Sequence, residues 1–273
     1  MFNAADLPVF QYDPPALKRV LVVTDLAKDA AHTFTDNAKK FLSAAEGPWE
    51  AVDASGFSTV KDLLDLVEDR KPDFIVTYRH LHSDAWRWPY SLGEHLDVLI
   101  QVTRPPVVIL PHPNSDGVPE HALKNTDSVM AITDHLAGSD TLVNVAARIT
   151  SPGGTLHLTH VENAADFERY MEAISKIPEI DTDTARETML AQLLRDPSEF
   201  IDSCEAVLAK NGVELKVVKH VEHGHRLAEY RRAVDENKVD LIVLEGHAED
   251  QLAMNATAYS LAVELQTVPV MIV

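Results

Sequence analysis

The sequence predicts an α/β protein of two tandem domains, each a doubly wound parallel sheet with helices on both faces. Three observations carry this. Short, near-continuous apolar runs alternate with amphipathic stretches of helical period, as expected of strands buried on both faces by crossover helices. The closing stretch Asp240 to Val273, DLIVLEGHAEDQLAMNATAYSLAVELQTVPVMIV, has a degraded copy in Asp73 to Leu110, DFIVTYRHLHSDAWRWPYSLGEHLDVLIQVTRPPVVIL. Thirteen positions separate Gly93 from Pro106, and thirteen again separate Ala256 from Pro269. A strand, loop, helix and strand repeated at matched spacing implies two copies of one unit.

After a segment kept irregular by Pro8, Pro14 and Pro15, the run RVLVVT from Arg19 to Thr24 reads as a buried strand ending at Asp25. Asp29 to Ala45 has Ala31, Phe34, Ala38, Phe41 and Leu42 at helical spacing, and Gly47-Pro48 stops it. A strand over Trp49 to Val52 follows, then a helix over Thr59 to Asp69 and a strand over Asp73 to Thr77. Arg79 to Pro89 is a polar and aromatic loop, Gly93 to Thr103 a helix, and Pro106 to Leu110 the closing strand. The run from Pro111 to Pro119 is rich in proline, glycine and polar residues and marks a boundary. This divides the chain into 1–113, a linker 114–126, and 127–273.

The second half restarts with a strand over Asp127 to Thr133 that ends at Asp134, the counterpart of Asp25. Ser139 is placed to cap a helix through Ile149. Pro152-Gly153-Gly154 turns the chain into a strand over Thr155 to Val161. Glu162 to Lys210 is helical in composition, broken at Pro178 and Pro197. A strand over Val213 to Val218, a helix over Arg226 to Glu236 and a strand from Asp240 to Leu244 complete the pattern. Asp25 to Asp73 spans 48 positions and Asp134 to Asp240 spans 106, an excess of 58. That is enough for one extra strand and helix, so the second half is expected to have five strands and the first to lack one βα unit.

Composition narrows the function. With 43 Asp and Glu against 24 Lys and Arg, the formal net charge is -19, which repels nucleic acid and anionic membrane surfaces. No apolar run approaches the roughly 20 residues of a membrane helix, and MFNAADLPVFQYDPP lacks a basic region followed by an apolar one, so a cytoplasmic location is expected. The single cysteine, Cys204, cannot form an internal disulfide and reads as a buried position on a helix face. No G-x-S-x-G, P-loop or H-E-x-x-H sequence occurs, so the chain is expected to be non-enzymatic.

In a doubly wound sheet, ligands bind outside the carboxyl ends of the strands. Those ends carry Thr133, Asp134 and His135; His160 and Glu162; His220, His223, Gly224 and His225; and Glu245, Gly246 and His247. Asp25 and Asp134 can serve a ligand or simply cap the helix or turn that follows. Zn²⁺ has two candidate sets. His80, His82 and Asp84 stand at alternate positions on one side of an extended segment, and His220, His223, His225 and His247 can converge at neighbouring strand ends. No spacing in either set matches an established zinc signature.

Both halves resemble universal stress protein (UspA-type) domains. In the second half the resemblance lies in VMAITDH, GGTLHLTHVEN, GVELKVVKHVEHGH, DLIVLEGHA and VELQTVPVMIV, and in the first in RVLVVTDLA, DFIVTYRH and SLGEHLDVLIQVTRPPVVIL. It implies a Rossmann-like fold of the adenine-nucleotide-alpha-hydrolase type and a role in the stress response through a protein partner or small ligand. It also implies that the two halves pack about a pseudo-two-fold axis through their last strands as an intrachain pseudo-dimer, with a homodimer left open. Family members that bind ATP resemble one another in a loop G-x2-G-x9-G-S/T, whose amides and following helix N-terminus surround the phosphates. Carried onto this chain, the first glycine falls on Glu245, the second on Ala248 and the Gly-Ser pair on Ala256-Thr257, in a loop two residues short. Gly246, out of register, and the Thr257 hydroxyl remain. The resemblance puts Asp134 and Val161 against an adenine base, so the residues available to ATP or AMP are Thr133, Asp134, Val161, Gly246, His247 and Thr257. The first half keeps Gly93 but follows it with Glu94. A carboxylate where a phosphate should lie costs roughly 1 to 4 kcal/mol, so the nucleotide loop is expected to be degenerate in both halves.

Overall fold

The computed structural model describes residues 9–88, 90–119, 121–133, 139–246 and 255–273. In the first half the order is β1 (Val20–Val23), α1 (Lys28–Phe41), β2 (Trp49–Val52), α2 (Val60–Arg70), β3 (Phe74–Tyr78), a single 3-10 turn (Asp84–Arg87), α3 (Glu94–Val102) and β4 (Val107–Leu110). The second half runs β5 (Ser128–Thr133), α4 (Asp140–Ile149), β6 (Thr155–Asn163), α5 (Ala164–Ile174), α6 (Thr182–Lys210), β7 (Lys216–Gly224), α7 (Arg226–Glu236), β8 (Leu241–Leu244), α8 (Ala256–Glu264) and β9 (Val270–Ile272). None of the described helices is long and apolar enough to cross a membrane.

Among the described residues, nine strands form one sheet in the order β2-β1-β3-β4-β9-β8-β5-β6-β7. Neighbours run parallel except at the centre, where β4 and β9 pair antiparallel through Val107↔Ile272, Val108↔Met271 and Ile109↔Val270. The two closing strands expected to lie together thus pair directly, and each removes the other's unpaired edge. On either side the order is the same, β2-β1-β3-β4 and β6-β5-β8-β9, with β7 added outside β6. The extra stretch of the second half therefore supplies one strand, as the spacing implies, but with two helices in place of one.

The apolar layers on both faces run through this seam. Leu99 and Ile109 share a cluster with Leu261 and Ile272 on one face, and Val108 and Leu110 share one with Ala131 and Met271 on the other. The halves bury a common core. Caps follow the sequence signals: Thr59 and Asp62 form a reciprocal capping box on α2, and the Ser139 hydroxyl accepts the Leu142 amide on α4.

Two expectations are corrected. Pro197 does not break the helix: α6 runs through it, because Pro197, Phe200, Ile201, Cys204 and Leu208 are buried along one side, and that packing outweighs a proline cost of about 3 kcal/mol. Strands β6 and β7 also outrun their expected ends and stay in register from Thr155↔Lys216 to Asn163↔Gly224. Glu162, His220 and His223 consequently lie within strands and not in the loops beyond them.

Candidate functional site

The carboxyl ends of β5 and β6 form the crevice at which the sequence places a ligand. Odd-numbered residues of β6 turn their amides toward β5, beginning with Thr155, whose N–H donates to the Asp127 carbonyl at 2.7 Å. Carried three rungs further, the pattern would bring the Val161 amide onto the Thr133 carbonyl. The register runs on to Thr133↔His160, and the hydroxyl of Tyr230, from the second turn of α7, lies beside both groups. The Val161 amide donates to it at 3.3 Å, and it donates to the Thr133 carbonyl at 3.4 Å. The Val161 carbonyl accepts from Arg226 Nε at 3.0 Å. Both backbone groups on the edge that would face a base are therefore held by side chains of α7. Thr133 and Val161 are brought together as expected; Asp134, their proposed companion, lies outside the described residues.

Beneath this edge is a buried polar pair. His160 donates from Nδ1 to the Thr133 carbonyl at 3.1 Å, and its Nε2 lies 3.6 Å from Glu162 Oε2. Burial pushes the His160 pKa below its usual value, against the opposing pull of the Thr133 carbonyl and Glu162. The imidazole is therefore held in the Nδ1–H tautomer.

The stretch expected to surround phosphates is also satisfied internally where it is described. Asn255 caps α8, its Oδ1 accepting the amides of Thr257 at 2.8 Å and Ala258 at 3.3 Å. Free amides at a helix N-terminus are what bind an anion, and here a side chain has taken two. The described residues around Thr257, among them Ile132, Glu245 and Asn255, enclose about 10 Å³, room for a single water at most. Gly246 answers to packing: its amide donates to the Val273 carbonyl at 2.8 Å, and a Cβ there would lie 2.5 Å from Ile272 Cγ2. His247 and Ala248 lie outside the described residues.

In the first half Asp25 stitches its own loop. Its carboxylate accepts from the Tyr78 hydroxyl and from the His82 amide, the latter at 2.7 Å. It does not cap α1, whose N-cap is Ala27. Burial and then Asp25 push the Tyr78 phenol pKa far up. Phe57, His82 and His95 cluster nearby, Phe57 edge-to-face with both histidines and the histidines tilted to each other, with ring centroids 4.8 to 5.8 Å apart.

Neither histidine set has the geometry expected of it. His80 and His82 adopt left-handed backbone, φ 60° and 56°, so the segment is coiled and not extended. Gly93 accounts for one of these bends: at φ 97°, a Cβ there would meet the His80 Cα at 2.8 Å. Asp84 opens the 3-10 turn. His220 and His223, three apart on β7, face opposite sides of the sheet. The first lies 3.0 Å from His157 Nδ1, the second against the Phe167 ring at 5.2 Å, and His225 is exposed at the N-cap of α7. Among the described residues no three His, Cys, Asp or Glu side chains are grouped to hold a metal ion.

One residue that the sequence does not single out joins the halves. Arg79, at the end of β3, is buried and donates to the Ala262 carbonyl and, at 2.9 Å, to the Leu265 carbonyl, closing the C-terminus of α8. Burial pulls its pKa down to about 10. Tyr259 of the same helix donates to Asp97 of α3 at 3.1 Å. The sequence signal for Arg79 was its charge directly after the apolar run DFIVTY; Asn255, two residues before Thr257, carried an ordinary capping signal.

A search of curated proteins finds no match. Among solved structures, a universal stress protein from Archaeoglobus fulgidus DSM 4304 is similar in fold at 14% identity and TM-score 0.52, covering 94% of this chain and 96% of that one. A putative universal stress protein from Pseudomonas aeruginosa UCBPP-PA14 aligns at 11% identity and TM-score 0.47, covering 93% and 81%. A functionally unknown protein, PA1789, from Pseudomonas aeruginosa PAO1 aligns at 12% identity and TM-score 0.48 over the same shares. The model of the universal stress protein family matches residues 125–273. Since that is more than half of the sequence, the chain belongs to the universal stress protein family.

Proposed function

We propose that this is a non-enzymatic universal stress protein of the cytoplasm, acting in the stress response by binding a protein partner or small ligand, with its nucleotide crevice filled by its own side chains. The observation that carries this reading is at Val161, whose amide meets Tyr230 and whose carbonyl meets Arg226. A base edge would have to displace both. The Asn255 cap on α8 supports the reading at the phosphate end, and the Asp25 carboxylate, committed to Tyr78 and His82, supports it in the first half. In the same reading the first half is a shortened copy of the family domain, which accounts for the strand order repeated about the β4–β9 seam.

The test is thermal shift and calorimetry of the full chain with ATP, AMP and Zn²⁺. A ligand at 100 times its Kd raises stability by about 2.7 kcal/mol, so the expected result is no saturable shift with any of the three. A saturable shift with ATP or AMP overturns the filled-crevice reading, and one with Zn²⁺ restores the histidine clusters as a metal site.

A further inference from the structure

We propose that the hairpin made by α5 and the first half of α6 is a docking surface for a cationic amphipathic helix of a partner protein. The fully buried residues of α6, from Pro197 to Leu208, all lie in its second half, and Thr182 to Asp196 contribute none. That first arm extends about 22 Å and is tied to α5 by Arg186, which grips both oxygens of Glu168 and lies 5.5 Å from the Phe167 ring centroid. It is a two-helix projection, and two packed helices leave an outer groove that a third can fill.

The outer face is apolar. Tyr170, Ile177 and Ile180 are 50%, 44% and 41% exposed, three large apolar side chains within eleven residues. Tyr170 and Ile174 fall at i and i+4 on α5, while Ile177 and Ile180 lie in the turn that follows, where the Ile177 amide donates to the Ile174 carbonyl at 2.9 Å. Met189 and Leu190 on the facing arm are only half-buried. Isolated exposed apolar residues are ordinary on a soluble protein, but a clustered set marks a contact surface.

Charge selects the occupant. The nearby cations are engaged: Arg169 with Asp166 at 3.1 Å, Lys176 with Glu172 at 4.0 Å, and Arg186 with Glu168. Asp183 shares Arg186 with Glu168, and no ion pair to a basic side chain involves Glu179 or Glu187 among the described residues. An apolar cluster rimmed by an excess of acids, on a chain of net charge -19, repels a second copy of itself and an anionic membrane alike. It suits a helix with one apolar face and lysine or arginine flanks. The surface uses none of the residues at the Thr133–Val161 edge, so it gives the partner-binding reading a location while being tested separately from nucleotide binding.

The experiment is calorimetry of the full chain against a synthetic Leu/Lys amphipathic helical peptide of about five turns, its scrambled-order isomer, and its Leu/Glu counterpart. The wild type is expected to bind the amphipathic cationic peptide, with the scrambled isomer weaker by roughly tenfold or more and the Leu/Glu peptide not bound. Ile177→Ser with Ile180→Ser is expected to weaken binding by a similar factor with an unchanged circular dichroism spectrum. Glu179→Gln, Asp183→Asn and Glu187→Gln together are expected to weaken it at low salt. Equal binding of the scrambled isomer, retention of affinity in the Ile177→Ser, Ile180→Ser variant, or no binding by the wild type overturns the proposal. A self-association that the same double substitution abolishes also overturns it, by making a second copy the occupant.

Discussion

The hydroxyl of Tyr230 accepts the amide of Val161 at 3.3 Å, beside the last rung of the β5–β6 ladder, Thr133↔His160. From the same position the phenol donates to the Thr133 carbonyl at 3.4 Å. Tyr230 is fully buried, so both bonds of its hydroxyl are made out of reach of water.

Tyr230→Phe is accordingly expected to cost about 0.5–1.5 kcal/mol, the net worth of a buried hydrogen bond. Urea denaturation measures it. An unchanged midpoint with an unchanged slope would show that the ring alone matters.

Arg79→Met is expected to cost about 2–4 kcal/mol, because charge-assisted hydrogen bonds to the last carbonyls of α8 are lost while the methionine retains most of the packing. Arg79→Lys should recover only part of this, since an ammonium cannot reach two separated carbonyls with a planar fork. Amide hydrogen exchange along α8 should quicken in both variants. Exchange that quickens only in the first half of the chain would argue against a bond across the seam.

His157 gives a pH dependence of known sign. It is buried between His220 and the Ser128 hydroxyl, 3.0 Å and 3.3 Å away, and burial, then the charges of His220 and Lys216, pull its pKa down to about 4. The unfolded chain takes up this proton near the ordinary histidine value of about 6.5. Between these two values the unfolded state binds more protons, so stability falls as pH drops from about 6.5 to about 4 and is indifferent to this group above that window. His157→Gln should flatten part of that decline in a series of denaturation curves taken between pH 7 and pH 4. An identical slope would mean that the decline comes from other histidines whose pKa is lowered, such as His160 and His220.

Gly246→Ala is expected to destabilise by about 1–3 kcal/mol through overpacking against the Ile272 Cγ2. Ile272→Ala should relieve it, so the double substitution should cost less than the sum of the single ones. Strict additivity would show that the glycine serves backbone freedom and not close approach.

The strands were legible because runs such as RVLVV and DLIVL leave no polar face, and α7 was legible because Arg226 to Glu236 is bounded by a glycine turn and a polar stop. The ends of β6 and β7 were not. Glu162-Asn163 and KHVEHG read as lying beyond their strands, yet β7 is an edge strand whose polar residues are tolerated at the margin of the sheet. At the crevice, the pairing of Thr133 with Val161 followed from knowing where strands end. Tyr230 and Arg226 could not be read, because they reach the crevice from a helix whose position depends on strand register. The left-handed backbone of His80 and His82 was likewise hidden, since it falls on residues that ordinarily avoid it.

The antiparallel seam also sets an order of events during synthesis. Val107 and its partner Ile272 are 165 positions apart. At about 5–20 residues per second, β4 waits roughly 8–33 s for the strand that covers it. Throughout that interval its apolar edge, VVIL, is bare to any other nascent chain, and the prolines at 105 and 106 immediately ahead of it shorten the stretch on which a stray strand could be templated.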